Sequence, residues 1–96
     1  MFVISRSETF DRWFDDIKDE TTQIKILTRI DRARFGNLGD HRSIGDGISE
    51  MRINYGPGYR LYYTIRRQKI IFLLCGGDKS SQTRDIAKAK ELNKEV

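Results

Sequence analysis

Arg52 and Arg60 stand on either side of a Gly56-Pro57-Gly58 turn, and Lys79 follows a Gly76-Gly77-Asp78 stop. If the turn joins two antiparallel strands, the two guanidinium groups become neighbours on one sheet face. Like charges side by side destabilise a sheet. They are best tolerated where an anion sits between them, and Lys79 can complete such a cationic pocket. The chemistry this suits is phosphodiester cleavage with an RNA 2′-OH as internal nucleophile. Fixed cations stabilise the charge that builds on the phosphate, and neither metal nor cofactor is required. A base for the 2′-OH and an acid for the leaving oxygen are still needed. By type the candidates are Glu50, Asp85 and His41, and spacing singles out none of them. Glu50 is equally well read as an ion-pair partner of Arg52 or Arg60. Tyr59 or Tyr62 can stack on an unpaired base, and Arg66 extends the basic row. The chain has one Cys and one His, which leaves an intrachain zinc site nearly excluded and an internal disulfide impossible.

The elements that position these residues are legible as patterns. Residues 48–54 alternate, with Met51 and Ile53 on one side and Glu50 and Arg52 on the other. Residues 59–66 alternate again, placing Leu61, Tyr63 and Ile65 opposite Arg60, Tyr62 and Arg66. Residues 69–75 form a third strand, apolar from Ile70 onward as befits a centre buried on both faces. A short strand is expected near residues 2–5. Ser7 or Thr9 can cap a helix bearing Phe10, Trp13, Phe14 and Ile17 at i, i+3, i+4 and i+7. Thr21 or Thr22 can cap a second, with Ile24, Leu27, Ile30 and Ala33 buried and Lys25, Arg29 and Arg32 as an exposed basic stripe. That stripe can touch phosphate, although a solvated basic face is the commoner role. Gly36 ends this helix, and residues 37–47 read as a loop. Ser80 or Ser81 can cap a last helix with Ile86, Ala89 and Leu92 inward. The expected class is α+β: an antiparallel sheet, two N-terminal helices on one face, a C-terminal helix, and the face bearing Arg52, Arg60 and Tyr62 open.

Length and charge agree with this reading. Ninety-six residues suit one domain spanning 1–96 with a single core. A third of the residues are charged and no apolar run reaches the ~18 residues of a membrane span. The N-terminus has no signal-peptide pattern, so a cytoplasmic protein is expected. Residues 52–79 hold six basic side chains against Asp78 alone, which centres a positive field on the sheet and points to an anionic partner such as nucleic acid.

Four segments carry a resemblance: Gly47-Ile48-Ser49-Glu50-Met51-Arg52, Gly56-Pro57-Gly58-Tyr59-Arg60-Leu61-Tyr62-Tyr63, the run from Leu73 through Gly76-Gly77-Asp78-Lys79 to Gln82, and Asp85-Ile86-Ala87-Lys88-Ala89. Together with Phe10-x-x-Trp13 they resemble the RelE/HigB-like toxins of bacterial toxin–antitoxin modules, and within that superfamily the phage-derived addiction module killer proteins. The resemblance covers nearly the whole chain. It implies a small microbial RNase-type fold, mRNA cleavage at the ribosome, and inhibition by a co-encoded antitoxin, a helix-turn-helix protein. By position, Arg60 matches the strand arginine that contacts the scissile phosphate. Arg52 and Lys79 match further basic positions. Where RelE has a second lysine this chain has Glu50, and where RelE has a tyrosine near the C-terminus it has Asp85 or Ile86. The alternatives are a ParE-like gyrase inhibitor of the same fold and an inactive RNA-binding module.

Overall fold

The computed structural model describes residues 1–95. The chain begins with β1 (Val3–Arg6), α1 (Glu8–Asp15) and α2 (Glu20–Arg34). Four strands follow, β2 (His41–Gly45), β3 (Ile48–Ile53), β4 (Tyr59–Arg66) and β5 (Ile70–Asp78). A 3-10 turn at Lys79–Ser81 then leads into α3 (Gln82–Glu95). The five strands form one sheet in the order β1-β5-β4-β3-β2. β1 runs parallel to β5 and the other pairs are antiparallel. The expected α+β class is what the structure has. No helix among the described residues is long and apolar enough to cross a membrane.

One face carries the core expected from the alternation. Met51, Ile53, Leu61, Tyr63, Ile71 and Leu73 pack under Phe10 of α1 and Ile26, Ile30 and Ala33 of α2. Ser7 caps α1, its Oγ accepting from the Phe10 N–H at 2.9 Å and donating to the Leu74 carbonyl at 2.6 Å, so the cap also ties α1 to β5. The buried stripe of α2 differs from expectation. Thr22, Ile26, Ile30 and Ala33 point inward, while Ile24 and Leu27 stand in solvent. The helix starts at Glu20 rather than after a Thr21 or Thr22 cap, and both i, i+3/i+4 series through Ile30 were open to the sequence. Ile65 is 40% exposed, at the end of β4 beyond the residues packed under α1 and α2.

The opposite face is not open. α3 lies across it, and Ile48, Tyr62, Leu74, Cys75 and Ala89 make a second core, with Ile86 and Leu92 packed against it. Two adjacent glycines of β5 show how the strand fits between helices on both sides. A Cβ on Gly76 would stand 2.3 Å from the Trp13 ring of α1, and one on Gly77 would stand 1.8 Å from Asp85 Oδ2 of α3. Successive strand residues face opposite ways, so each glycine admits a side chain from a different layer. β5 accordingly continues to Asp78, three residues beyond the expected end.

The other correction is β2. Residues 41–45 pair with β3 through His41↔Met51, Arg42↔Glu50 and Ser43↔Ser49, where a loop was expected. The strand lies at the sheet edge and is mostly exposed, so burial imposes no alternation on its sequence. A signal was nonetheless present: Asp46-Gly47 forms the two-residue turn, with φ of 57° and 76°, and Asp-Gly is the favoured pair for such hairpins.

Candidate nucleic-acid site at the end of the sheet

The β3–β4 hairpin pairs Arg52 directly with Arg60, as the Gly-Pro-Gly turn implied. Both side chains emerge at the end of the α3-covered face where that helix begins. Arg52, Asn54, Gly58, Tyr59, Arg60 and Lys79 line a recess of about 320 Å³ with Ile53 and Asp40. Three of the residues singled out for phosphate chemistry, together with Tyr59, thus share one concavity. Asp40 belongs to the segment read as a loop and carried no sequence signal. Its Oδ1 accepts from Arg52 Nη2 at 2.7 Å and Nε at 3.2 Å, and its carbonyl accepts the Arg52 N–H at 2.8 Å. These bonds to Asp40 push the Arg52 pKa above its ordinary value. Oδ2 is left for other partners.

Arg60 is held differently. Its side chain is only 13% exposed, its Nη1 donates to the Gly58 carbonyl at 3.3 Å, and its Nε lies 3.4 Å from Glu50 Oε1. The Nε contact is an ion pair without hydrogen-bond alignment. Glu50 is wholly buried. It also accepts a short bond from Arg42 Nε and a longer one, 3.4 Å, from Gln82 Nε2 of α3. The partner of Arg52 is therefore Asp40, and the partners of Glu50 are Arg42 and Arg60. Arg42 owes its place to β2, the segment read as a loop from the sequence.

Several expected site residues are not in the recess. Glu50 and Asp85 do not line it. Asp85 accepts from Ser81 Oγ and rests on Gly77, which is paired with Arg60 across the strands. Tyr62 was expected on an open face for base stacking. It is completely buried beneath α3, and that desolvation, with Glu50 nearby, raises its pKa. Arg66 is six residues along β4 from Arg60, or about 20 Å. It donates to Asn93 Oδ1 at 2.9 Å and lies over Phe72, fastening the end of α3. His41 is exposed on the edge strand, its Nδ1 2.8 Å from the Gly39 carbonyl. Tyr59 lies at the recess with its ring edge-on to Trp13 at 6.3 Å. Lys79 leaves β5 through a capping box in which Asp78 accepts from the Ser80 N–H and Ser81 Oγ reaches back; the Ser80 hydroxyl bond holds the Asp78 carboxyl below its usual pKa.

A second recess, of about 350 Å³, adjoins the first through Ile53 and Asn54. It is lined by Lys25, Arg29 and Arg32 of α2 with Tyr55. Among the described residues no group of His, Cys, Asp and Glu is arranged to hold a metal ion.

The chain is 46% identical over 93 residues to an uncharacterized protein of Haemophilus influenzae, an alignment covering 97% of this chain and 94% of that one. The profile of the family described as phage derived protein Gp49-like (DUF891) matches residues 12–94, a span that holds α2, all four strands of the antiparallel part of the sheet and both recesses. The chain belongs to this Gp49-like family, which is part of the addiction module killer, RelE-like toxin group.

Proposed function

We propose that the protein is the toxin of a toxin–antitoxin module and acts as a RelE/HigB-like endoribonuclease on mRNA at the ribosome, silenced by a co-encoded antitoxin. The observation that carries this reading is the pairing of Arg52 with Arg60 at the mouth of a recess that also holds Lys79. In this reading Arg60 and Arg52 bind the scissile phosphate and stabilise the charge developing on its oxygens, and Lys79 adds a third cation. The 2′-OH gives up its proton and attacks the phosphorus, and the bond to the 5′ oxygen breaks. That oxygen takes a proton from solvent water, and a 2′,3′-cyclic phosphate and a free 5′-OH remain. Asp40 lines the recess and keeps Oδ2 clear of Arg52, so it is the carboxylate placed to accept the 2′-OH proton. Glu50 holds Arg60 and takes no proton.

The test is expression without an antitoxin, with primer extension on a translated reporter and a parallel assay of plasmid supercoiling. Growth arrest with cuts inside translated mRNA and unchanged supercoiling is expected. Arg60→Ala and Arg52→Ala should each reduce cutting by ~10²–10³, the usual cost of removing one preorganised charge from an oxyanion. Because Arg60 also pairs with buried Glu50, the urea midpoint of each variant is measured beside its activity. Intact mRNA with altered supercoiling would transfer the function to gyrase. Intact mRNA with normal supercoiling would leave an RNA-binding module.

A further inference from the structure

The basic stripe of α2 takes no part in the chemistry proposed above, yet it stands next to that recess. Lys25, Arg29 and Arg32 line the second recess with no carboxylate among its lining residues. Among the described residues, neither Lys25, Arg32 nor Lys79 has an acidic partner within ion-pair distance. Arg29 is committed to the fold. It donates to the carbonyls of Arg52 at 2.6 Å, Leu38 at 3.1 Å and Asp40 at 3.4 Å, and burial lowers its pKa despite the opposing pull of Asp40. These bonds fix α2 against the strand that carries Arg52. Lys25 Nζ sits 4.7 Å from the centre of the Tyr55 ring, and Arg32 is exposed. The two recesses meet at Ile53 and Asn54, so cations continue from one face of the sheet around the end of β3 to the other.

We infer that Lys25 and Arg32, with Tyr55 of the β3–β4 turn beneath Lys25, form a second phosphate-binding subsite that holds single-stranded RNA outside the cleaved linkage. Five cations besides Arg29 then follow one path, Lys79, Arg60, Arg52, Lys25 and Arg32, with Asp40 as its single lining carboxylate. The path bends around the sheet end within the length of residues 52–55, about 10 Å of extended chain. A flexible single strand follows such a bend, whereas a duplex, stiff over ~150 base pairs, does not. Basic grooves with aromatic side chains are the usual means of holding single strands without reading sequence. The inference rests on the proposed function for its choice of RNA.

The experiment measures fluorescence anisotropy of labelled 2′-O-methyl oligouridylates, which have no free 2′-OH to attack and so report binding alone. A trinucleotide fills the first recess, and a nonanucleotide reaches both. The nonanucleotide should bind more tightly, and Lys25→Gln/Arg32→Gln should remove at least a tenfold part of its affinity while leaving the trinucleotide unaffected. The slope of log K against log salt should fall by about 1.4, from ~0.7 for each of two single-strand phosphate contacts. Repeating the comparison in Arg60→Ala separates this inference from the function it rests on. If the first recess is not a phosphate site, Arg60→Ala leaves trinucleotide binding unchanged, yet the Lys25/Arg32 increment is still read. Equal nonanucleotide affinity and salt slope with and without Lys25 and Arg32 would overturn the second subsite. So would an equal loss for a nine-base-pair duplex, because the subsite would then not be one for single strands.

Discussion

Glu50 illustrates how one buried charge divides a surface into working and supporting parts. A carboxylate with no exposure must be compensated, and here Arg42 from β2, Arg60 from β4 and Gln82 from α3 converge on it. The consequence for Arg60 is a guanidinium fixed from behind, with its remaining donors available at the recess. Removing one partner of a buried ion pair leaves the others uncompensated, so Glu50→Ala should destabilise the protein by about 3 kcal/mol, read from the urea midpoint. Glu50→Gln keeps an acceptor oxygen for Arg60. It should retain cleavage within about tenfold of the original, equivalent to ~1.4 kcal/mol in the barrier. Complete loss of cleavage in a well-folded Glu50→Gln protein would instead make Glu50 the base. By the same logic Asp40→Asn should lose ~10²–10⁴ in rate, the range of a general base. The Arg52–Arg60 neighbourhood was readable because a tight turn fixes strand register. Asp40 was not, because nothing in a polar loop announces which strand its backbone will bond.

At the level of elements, periodicity located the helices and the three long strands, and failed wherever one layer's burial depends on another. Tyr62 and Glu50 alternate correctly with their neighbours, but whether that face meets water or a helix is decided by α3, some twenty residues later. The Gly76-Gly77 pair is the trace that this packing leaves in the sequence. Gly77→Ala would drive a methyl into Asp85 Oδ2, which a Cβ would meet at 1.8 Å, so it should cost ~1–3 kcal/mol as overpacking does. Gly77→Ala/Asp85→Ala should recover part of the loss, and no recovery would mean that α3 is seated by other contacts. The β4–β5 turn offers the reverse case. Arg67 and Gln68 both have positive φ, 55° and 57°, with the Lys69 N–H closing the turn on the Arg66 carbonyl at 3.0 Å. Non-glycine residues pay ~1 kcal/mol or more in that region, so Gln68→Gly should raise the melting temperature by a few degrees. It should leave nucleic-acid binding alone, since this turn is at the opposite end of the sheet from the recess.

For the molecule as a whole, the decisive fact is a sheet covered by helices on both faces, with the candidate site at the end where the β3–β4 hairpin meets the start of α3. Cys75 reports whether that arrangement is closed. It lies on β5 beneath α3, 3% exposed, with Sγ 3.6 Å from the Asp85 carbonyl. Burial, followed by the nearby Asp85, pushes its thiol from 9.0 up to about 12. Because the folded value is the higher one and the protonated thiol is the neutral form, its contribution to stability is fully present below about pH 9 and is lost progressively as pH rises toward 12. At pH 8 only about one thiol in ten thousand would be ionised in the folded state, and the thiolate is the reactive species. The native protein should therefore resist a thiol reagent at pH 8 and react at once in denaturant. Slow labelling without denaturant then measures how often α3 lifts from β5. Gly77→Ala should accelerate it if α3 lifts locally, and Gln68→Gly should not, because it relieves backbone strain at the far end of β4 from Asp85 and leaves the Arg66–Asn93 bond to α3 in place. Fast labelling of the unaltered protein would mean that the second face of the sheet opens readily, and that Tyr62 and Glu50 spend time in water.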